Sequence, residues 1–150
     1  MNHTTSQMSL GDLSRLMSKI DHCMFSTHAG SGHIASRPMS NNGDVEYKGE
    51  SWFFALDSTH TVGEIERDPK VALSFTSSQG LLGQRPLFIA VEGEAELIRD
   101  KGAFQEHWTK DLDRWFEQGA DTPGLTLIQV SAQEAEAWGR IGNGSIDLKG

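Results

Sequence analysis

An arginine and a proline lie side by side in a segment whose residues otherwise alternate in character. The segment GHIASRPMS, residues 32–40, has the two-residue period of a β-strand and carries Arg37 and Pro38 in its middle. Because proline cannot donate a hydrogen bond to a strand ladder, this position favours the edge of a sheet. A strand edge that meets a ligand would explain both residues. A solvated arginine on a plain edge strand is the simpler explanation, and this segment taken alone favours it.

A second candidate is a run of polar residues where a buried strand is predicted to pass into a helix. The segment ALDSTHT, residues 55–61, places Ser58, Thr59, His60 and Thr61 at this junction. Hydroxyls and free N–H groups at the start of a helix form an anion site. The alternative is that Ser58 or Thr59 only caps the helix, and the segment by itself favours that alternative.

Other residues with metal-binding or nucleophilic potential give weaker signals. The six histidines are scattered, and His28 and His33 flank an AGSG turn with no cysteine or carboxylate nearby, so no metal site is predicted. The single cysteine, Cys23, has no visible activating partner and suits a small core position. There is no nucleophile elbow and no P-loop, and no side chain stands out as a general acid or base.

Length and charge limit the class of protein. A chain of 150 residues fits one domain, predicted here over 1–150 with irregular tails at 1–8 and 140–150. The net charge of −8 argues against nucleic acid and anionic membranes as partners, because both attract lysine and arginine. No window reaches the length of a transmembrane span, no signal peptide is recognised, and one cysteine cannot form an internal disulfide. A cytoplasmic location is therefore expected.

The elements that would position these residues are mostly strands. Apolar spacing predicts a helix over 9–21 and another that runs through Val62 and Ile65 and ends at Pro69. Residues 101–119 are predicted to be helical, in one or two pieces. Strands are predicted over 22–28, 32–40, 51–56, 70–75, 87–100 with a bend at Gly93, and 124–139 as one strand or two. Without a regular β-α-β alternation, a small antiparallel barrel with helices packed outside is favoured.

In their order and spacing, these segments resemble the flavin-binding split-barrel superfamily of pyridoxamine phosphate oxidase, and within it the bacterial general stress protein branch. The resemblance covers roughly residues 10–140. It rests on STHAGSGHIASRPMS, SWFFALDSTHTVGEIERDPKVALSF, IAVEGEAELIRD and AEAW. It implies an α+β fold, mainly β with peripheral helices, built on a six-stranded antiparallel split β-barrel. It also implies a homodimer that binds FMN, or alternatively FAD, at its interface.

The resemblance implies a flavin site drawn from four parts of the chain. Arg37 would pair with the FMN phosphate, and a guanidinium fork suits a phosphate dianion. The other implied contacts are Pro38 and Met39 along the flavin, backbone groups of Phe54 and Ala55 at the polar edge of the ring, the turn of Ser58, Thr59, His60 and Thr61 at the phosphate, and Trp138 from the other subunit.

Two departures from the family pattern refine the expected function. Thr61 stands where family members usually carry a lysine, so one phosphate-binding charge is missing, and His60 would replace it only in part. The tail GNGSIDLKG lacks the arginines that hold the pyridoxal substrate, so pyridoxamine phosphate oxidation is not expected. The resemblance thus implies an FMN-binding general stress protein which, if it is an enzyme, is a flavin-dependent oxidoreductase of unknown substrate. The alternatives are a non-enzymatic flavin- or nucleotide-binding stress protein and a split-barrel dimer that has lost its cofactor and binds a protein partner.

Overall fold

Eight strands and three α-helices make up the described part of the chain. The computed structural model describes residues 6–7, 9–41, 47–77, 86–139 and 144–147, with the backbone alone for 6–7 and 144–147. The strands are β1 (Ser6–Gln7), β2 (His22–Gly30), β3 (His33–Ser40), β4 (Glu50–Leu56), β5 (Lys70–Thr76), β6 (Phe88–Ile98), β7 (Leu125–Trp138) and β8 (Gly144–Asp147). The helices are α1 (Leu10–Met17), α2 (His60–Arg67) and α3 (Lys101–His107), followed by 3₁₀ turns at Lys110–Arg114 and Gly119–Asp121. Within these ranges no helix has the length and apolar character needed to cross a bilayer.

Six antiparallel strands form the main sheet, in the order β3-β2-β5-β6-β7-β4. This order leaves β3 and β4 as the two edges. The rings of Phe25 on β2 and Phe53 on β4 nevertheless meet edge to face at 5.2 Å, so the sheet curls until its edges approach each other. The six-stranded antiparallel split barrel with peripheral helices, expected from the resemblance, is therefore confirmed.

The core lies inside this curled sheet because the strands alternate in character. On β2, Cys23, Phe25 and Thr27 are buried while the residues between them are partly or fully exposed. Helix α1 begins with a capping box, in which Ser9 and Asp12 each accept a hydrogen bond from the other's backbone N–H. The apolar faces of α1 and α2 pack on this core, with Leu13, Met17, Val62 and Ile65 all buried.

A β-bulge bends the two longest strands. The pairing of β6 and β7 shifts register between Glu92 and Gly93, leaving Gln133 as the extra residue on β7. This confirms the bend predicted at Gly93. The bulge lies where β7 changes partners: its first half pairs with β4, and its second half pairs with β8.

The two tails differ from the prediction that they are irregular. β8 runs antiparallel to residues 134–137 of β7, and β1 pairs in parallel with β8. The physical reason is that β4 covers only the first half of β7, so the edge beyond it has backbone groups available for pairing. The rest of both tails lies outside the described residues.

Candidate functional site

A cavity of about 410 Å³ lies in the split between the two edge strands. Its lining is mainly apolar and comes from β2, β3, β4, the first 3₁₀ turn and the two residues after that turn: His22, Pro38, Met39, Ser40, Phe53, Phe54, Leu112, Trp115 and Phe116. This volume is within the range of roughly 300–1,000 Å³ that is usual for small-molecule sites. The walls suit a planar, largely apolar ring system.

A second, more polar cavity of about 250 Å³ adjoins the first and shares several of its walls. It adds charged and polar side chains, among them Asp21, Asn41, His107, Asp111 and Arg114. The His107 ring stacks on Trp52 with 3.6 Å between centroids and 16° between planes. Together the two cavities form a groove that is apolar at one end and polar at the other.

Aromatic packing fixes the outer wall of this groove. Phe54 meets Trp108 edge to face at 4.9 Å, and Trp108 meets Phe116 at 5.8 Å. The indole N–H of Trp108 also donates to Asp113 at 2.9 Å. Trp115, by contrast, is 62% exposed although it lines both cavities. Sequence reasoning missed this wall, and the local signal was the Trp-Phe pair inside an otherwise charged stretch.

Arg37 points into the barrel rather than to solvent. One terminal nitrogen, Nη1, donates to the Thr27 hydroxyl at 2.8 Å and to the Phe25 carbonyl at 3.3 Å. The other, Nη2, donates to Glu64 Oε1 at 2.8 Å. The side chains of Arg37 and Glu64 are only 21% and 7% exposed. The simple explanation of a solvated arginine therefore does not describe this residue.

Glu64, the buried partner of Arg37, is a residue of this region that sequence reasoning overlooked. The Thr27 hydroxyl donates to it at 2.6 Å and is the main cause of a lowered pKa for Glu64, which the Arg37 bond also lowers and burial opposes. Glu64 is therefore ionised at neutral pH and balances the charge of Arg37. The signal lay in α2: Glu64 follows Thr61 by three positions and sits beside Ile65, on the buried face.

The turn before α2 divides into a capping residue and exposed residues. Thr59 is the N-cap: its hydroxyl accepts from the Val62 N–H at 3.5 Å and donates to the Leu56 carbonyl at 2.7 Å. Thr61 is buried, whereas Ser58 and His60 are exposed. The capping role favoured by the sequence therefore falls to Thr59.

We expect Thr59→Ala to lower the free energy of unfolding by about 1 kcal/mol, because α2 loses its capping hydroxyl. Urea unfolding monitored by circular dichroism measures the change. Ser58→Ala is the matched control and should leave stability within about 0.5 kcal/mol of wild type, since Ser58 is exposed and is not the cap. Equal losses in the two variants would contradict the assignment of the cap.

Trp138 lies on the outer face of the sheet, outside the lining of the groove. It pairs across the strands with Phe88, and Met24 pairs with Pro38. Trp138, Phe88 and Met24 are 37%, 44% and 43% exposed. Two exposed apolar pairs, Phe88–Trp138 and Met24–Pro38, therefore lie on the side of the sheet opposite the core, with Ser74 and Thr76 of β5 between them; together they are called the outer patch.

The structure brings together part of the predicted site. Pro38, Met39 and Phe54 line the cavity, while Arg37, on the same strand, is engaged with Glu64. Ala55 is buried next to Phe54 on β4, an edge strand whose second side has no strand partner among the described residues.

This antiparallel sheet, with a cavity between its edge strands, defines a split-barrel protein. Residues 9–147 match the family described as "Pyridoxamine 5'-phosphate oxidase like", and the chain belongs to that family. None of the curated proteins compared matches the chain.

Solved structures with low sequence identity share the fold. A Clostridium acetobutylicum protein related to general stress protein 26 of B. subtilis superposes with a TM-score of 0.76 at 18% identity, over 93% of this chain and 94% of its own. General Stress Protein 26 from Bacillus anthracis gives 0.68 at 18% identity, over 91% and 98%. A heme binding protein from Mycobacterium smegmatis gives 0.73 at 13% identity, over 97% of this chain and 60% of its own.

Proposed function

We propose that this chain is an FMN-binding protein of the general stress type, with the flavin ring held between β3 and β4. The observation that carries the proposal is the apolar cavity of about 410 Å³, whose walls include Pro38, Met39 and Phe54. These are three of the residues that the family resemblance assigns to the flavin. The names of the two general stress protein 26 relatives support the same class.

The residues fit the ring better than they fit the phosphate. The cavity walls supply apolar and aromatic surface for a tricyclic ring. At the phosphate end, Arg37 retains 21% exposure, and Ser58 and His60 are open at the start of α2. Arg37 is already paired, however, and Thr61 brings no charge. The fit of the cavity walls to the ring supports a flavin, so FMN is the proposed cofactor, with FAD as the alternative.

A bound flavin would supply electron or hydride transfer, and this chain would bind it, orient it and limit the access of water. Trp115 and Phe116 would cover the cavity, and the polar end of the groove would receive a small substrate. No catalytic residue is assigned. The paired Arg37 also favours a second candidate, a non-enzymatic ligand-binding or partner-binding split barrel.

We expect purified protein titrated with FMN or riboflavin to quench flavin fluorescence and shift the visible absorption bands. Trp115→Ala should weaken both ligands by about three- to tenfold, because an aromatic wall contributes roughly 0.5–1.5 kcal/mol. Lys110→Ala is the matched control, because Lys110 is an exposed residue of the 3₁₀ turn that precedes Trp115 and does not line the two cavities. Absence of any spectral change with either flavin would refute the proposed cofactor.

A homodimer is part of the proposal, and the outer patch of Met24, Phe88, Trp138 and Pro38 supports it. Exposed apolar patches on sheets mark association sites. Trp138→Lys should therefore convert a dimer into a 16.5 kDa monomer in light scattering. Glu106→Lys, which places a lysine on the exposed side of α3 outside the patch and outside the lining of both cavities, should leave the dimer intact. A monomeric wild-type protein at micromolar concentration with FMN present would contradict this prediction.

Cytoplasmic location and the lack of nucleic-acid binding stay predictions.

A further inference from the structure

Glu64 forms an ion pair with Arg37, the arginine that would bind a phosphate. We propose that Glu64 determines ligand specificity: by holding Arg37, it lowers the site's preference for a phosphorylated ligand over the same ligand without the phosphate. The inference rests on the proposed function, because it takes Arg37 as the phosphate end of the flavin site. It concerns the ratio of two affinities, so it is separable from whether a flavin binds.

The first argument is geometric. A guanidinium binds phosphate best through two parallel N–H bonds from its fork. In Arg37 both terminal nitrogens are already engaged, Nη1 by Thr27 and Phe25, and Nη2 by Glu64. These bonds use three of the five N–H groups, so a phosphate is left with Nε–H and the second N–H of Nη2 and would bind directly beside the Glu64 carboxylate, or would have to displace it.

The second argument is the balance of charge. Arg37 and Glu64 together carry no net charge, and a terminal phosphate adds about −1.5 to −2. His60, whose charge contributes to the lowered pKa of Glu64, is the only other titratable group with an interaction at this carboxylate among the described residues. Thr61 adds no cation. The phosphate would therefore lie near an ionised carboxylate with little compensating positive charge.

The third argument concerns displacement. If Arg37 turned toward a ligand, Glu64 would keep only the Thr27 hydroxyl while 7% exposed, and an unpaired buried carboxylate is strongly unfavourable. This cost applies to a phosphorylated ligand alone. An unphosphorylated ring in the cavity leaves the Arg37–Glu64 pair undisturbed, because neither residue is among the cavity lining.

The test compares FMN with riboflavin in fluorescence titrations of wild type and Glu64→Gln. Glutamine keeps the size of the side chain and an acceptor for Thr27 but removes the charge. We expect the ratio of FMN to riboflavin affinity to rise about tenfold, a difference of about 1.4 kcal/mol, because Arg37 is then held by a neutral amide instead of a carboxylate. Glu66→Gln is the matched control: it lies on the same helix, pairs with Arg99, is exposed, and should leave the ratio unchanged.

A second measurement uses inorganic phosphate in place of a flavin. Inorganic phosphate should raise the melting temperature of Glu64→Gln more than that of wild type, and the gain should disappear in the double variant Arg37→Ala/Glu64→Gln. If the glutamine variant does not fold, Glu64→Met, a second uncharged side chain of similar length, replaces it in both measurements.

Each outcome separates the inference from the proposed function. Flavin binding with an unchanged ratio in Glu64→Gln overturns the role of Glu64 and leaves the flavin site standing. If no flavin binds to any variant, the proposed function fails and the phosphate measurement decides: a gain that depends on Arg37 supports the role of Glu64, and no gain overturns it.

Discussion

Gly93→Val should lower the free energy of unfolding by about 3 kcal/mol, the upper end of the usual cost of overpacking. Gly93 is buried at the bulge between β6 and β7. A Cβ atom at this position would overlap the Ser131 carbonyl oxygen and would lie 3.1 Å from the Ser131 carbonyl carbon and 3.2 Å from the Ala132 Cα. All three are backbone atoms of β7, so no side-chain rotation relieves the overlap and the strand itself must move.

Gly63→Ala is the control for this prediction, and its expected effect has the opposite sign. Gly63 lies within α2, and a Cβ there meets nothing within 4 Å. Alanine should raise stability by about 0.5–1 kcal/mol, because glycine is the poorer helix former. Urea unfolding of both variants measures the difference. A Gly93→Val protein as stable as wild type would show that the bulge does not need a glycine.

Local sequence patterns were enough to predict where several strands lie, which strand is at an edge and where one strand bends. Residues 22–28 were predicted as the strand that the structure has as β2, Pro38 marked an edge strand, and Gly93 marked the bend. Each of these signals acts over a few residues, because side chains alternate along one strand and a missing N–H or Cβ acts at its own position. The resemblance added the number of strands and their arrangement as an antiparallel split barrel.

The contacts at the site could not be predicted in the same way. Arg37 and Glu64 are 27 positions apart, and their pairing depends on how α2 packs against β2 and β3. Neither residue has a neighbour in sequence that specifies its partner. The position of Trp115 at the cavity likewise depends on how the segment after α3 folds back onto β4, with Phe116 packed on Trp108 and Trp108 on Phe54. The pairing of β1 with β8 also joins opposite ends of the chain.

Arg37→Ala should weaken FMN by about ten- to a hundredfold and riboflavin much less, since only FMN carries the phosphate. The structure adds a second cause of this loss, besides the removed contact from Arg37 to the phosphate. Without Arg37, the ionised Glu64 would remain with its Thr27 bond and would face the phosphate with no intervening cation. Arg99→Ala is the control, because it removes an arginine from an exposed pair with Asp57 and should change neither affinity. A melting curve of each variant shows that the titrated protein is folded.

Thr61→Lys tests the same site by adding a positive charge, whereas Arg37→Ala removes one. A lysine at the start of α2 would restore the cation that the family usually has there, so FMN should gain affinity over riboflavin while Arg37 stays paired with Glu64. Thr61 is buried, so the lysine must extend its ammonium group to the surface at the beginning of the helix. Opposite shifts of the FMN to riboflavin ratio in Arg37→Ala and Thr61→Lys would place the phosphate between these two positions. An unchanged ratio in a folded Arg37→Ala protein would instead make Arg37 a structural residue that ties β3 to α2, and would remove it from the ligand site.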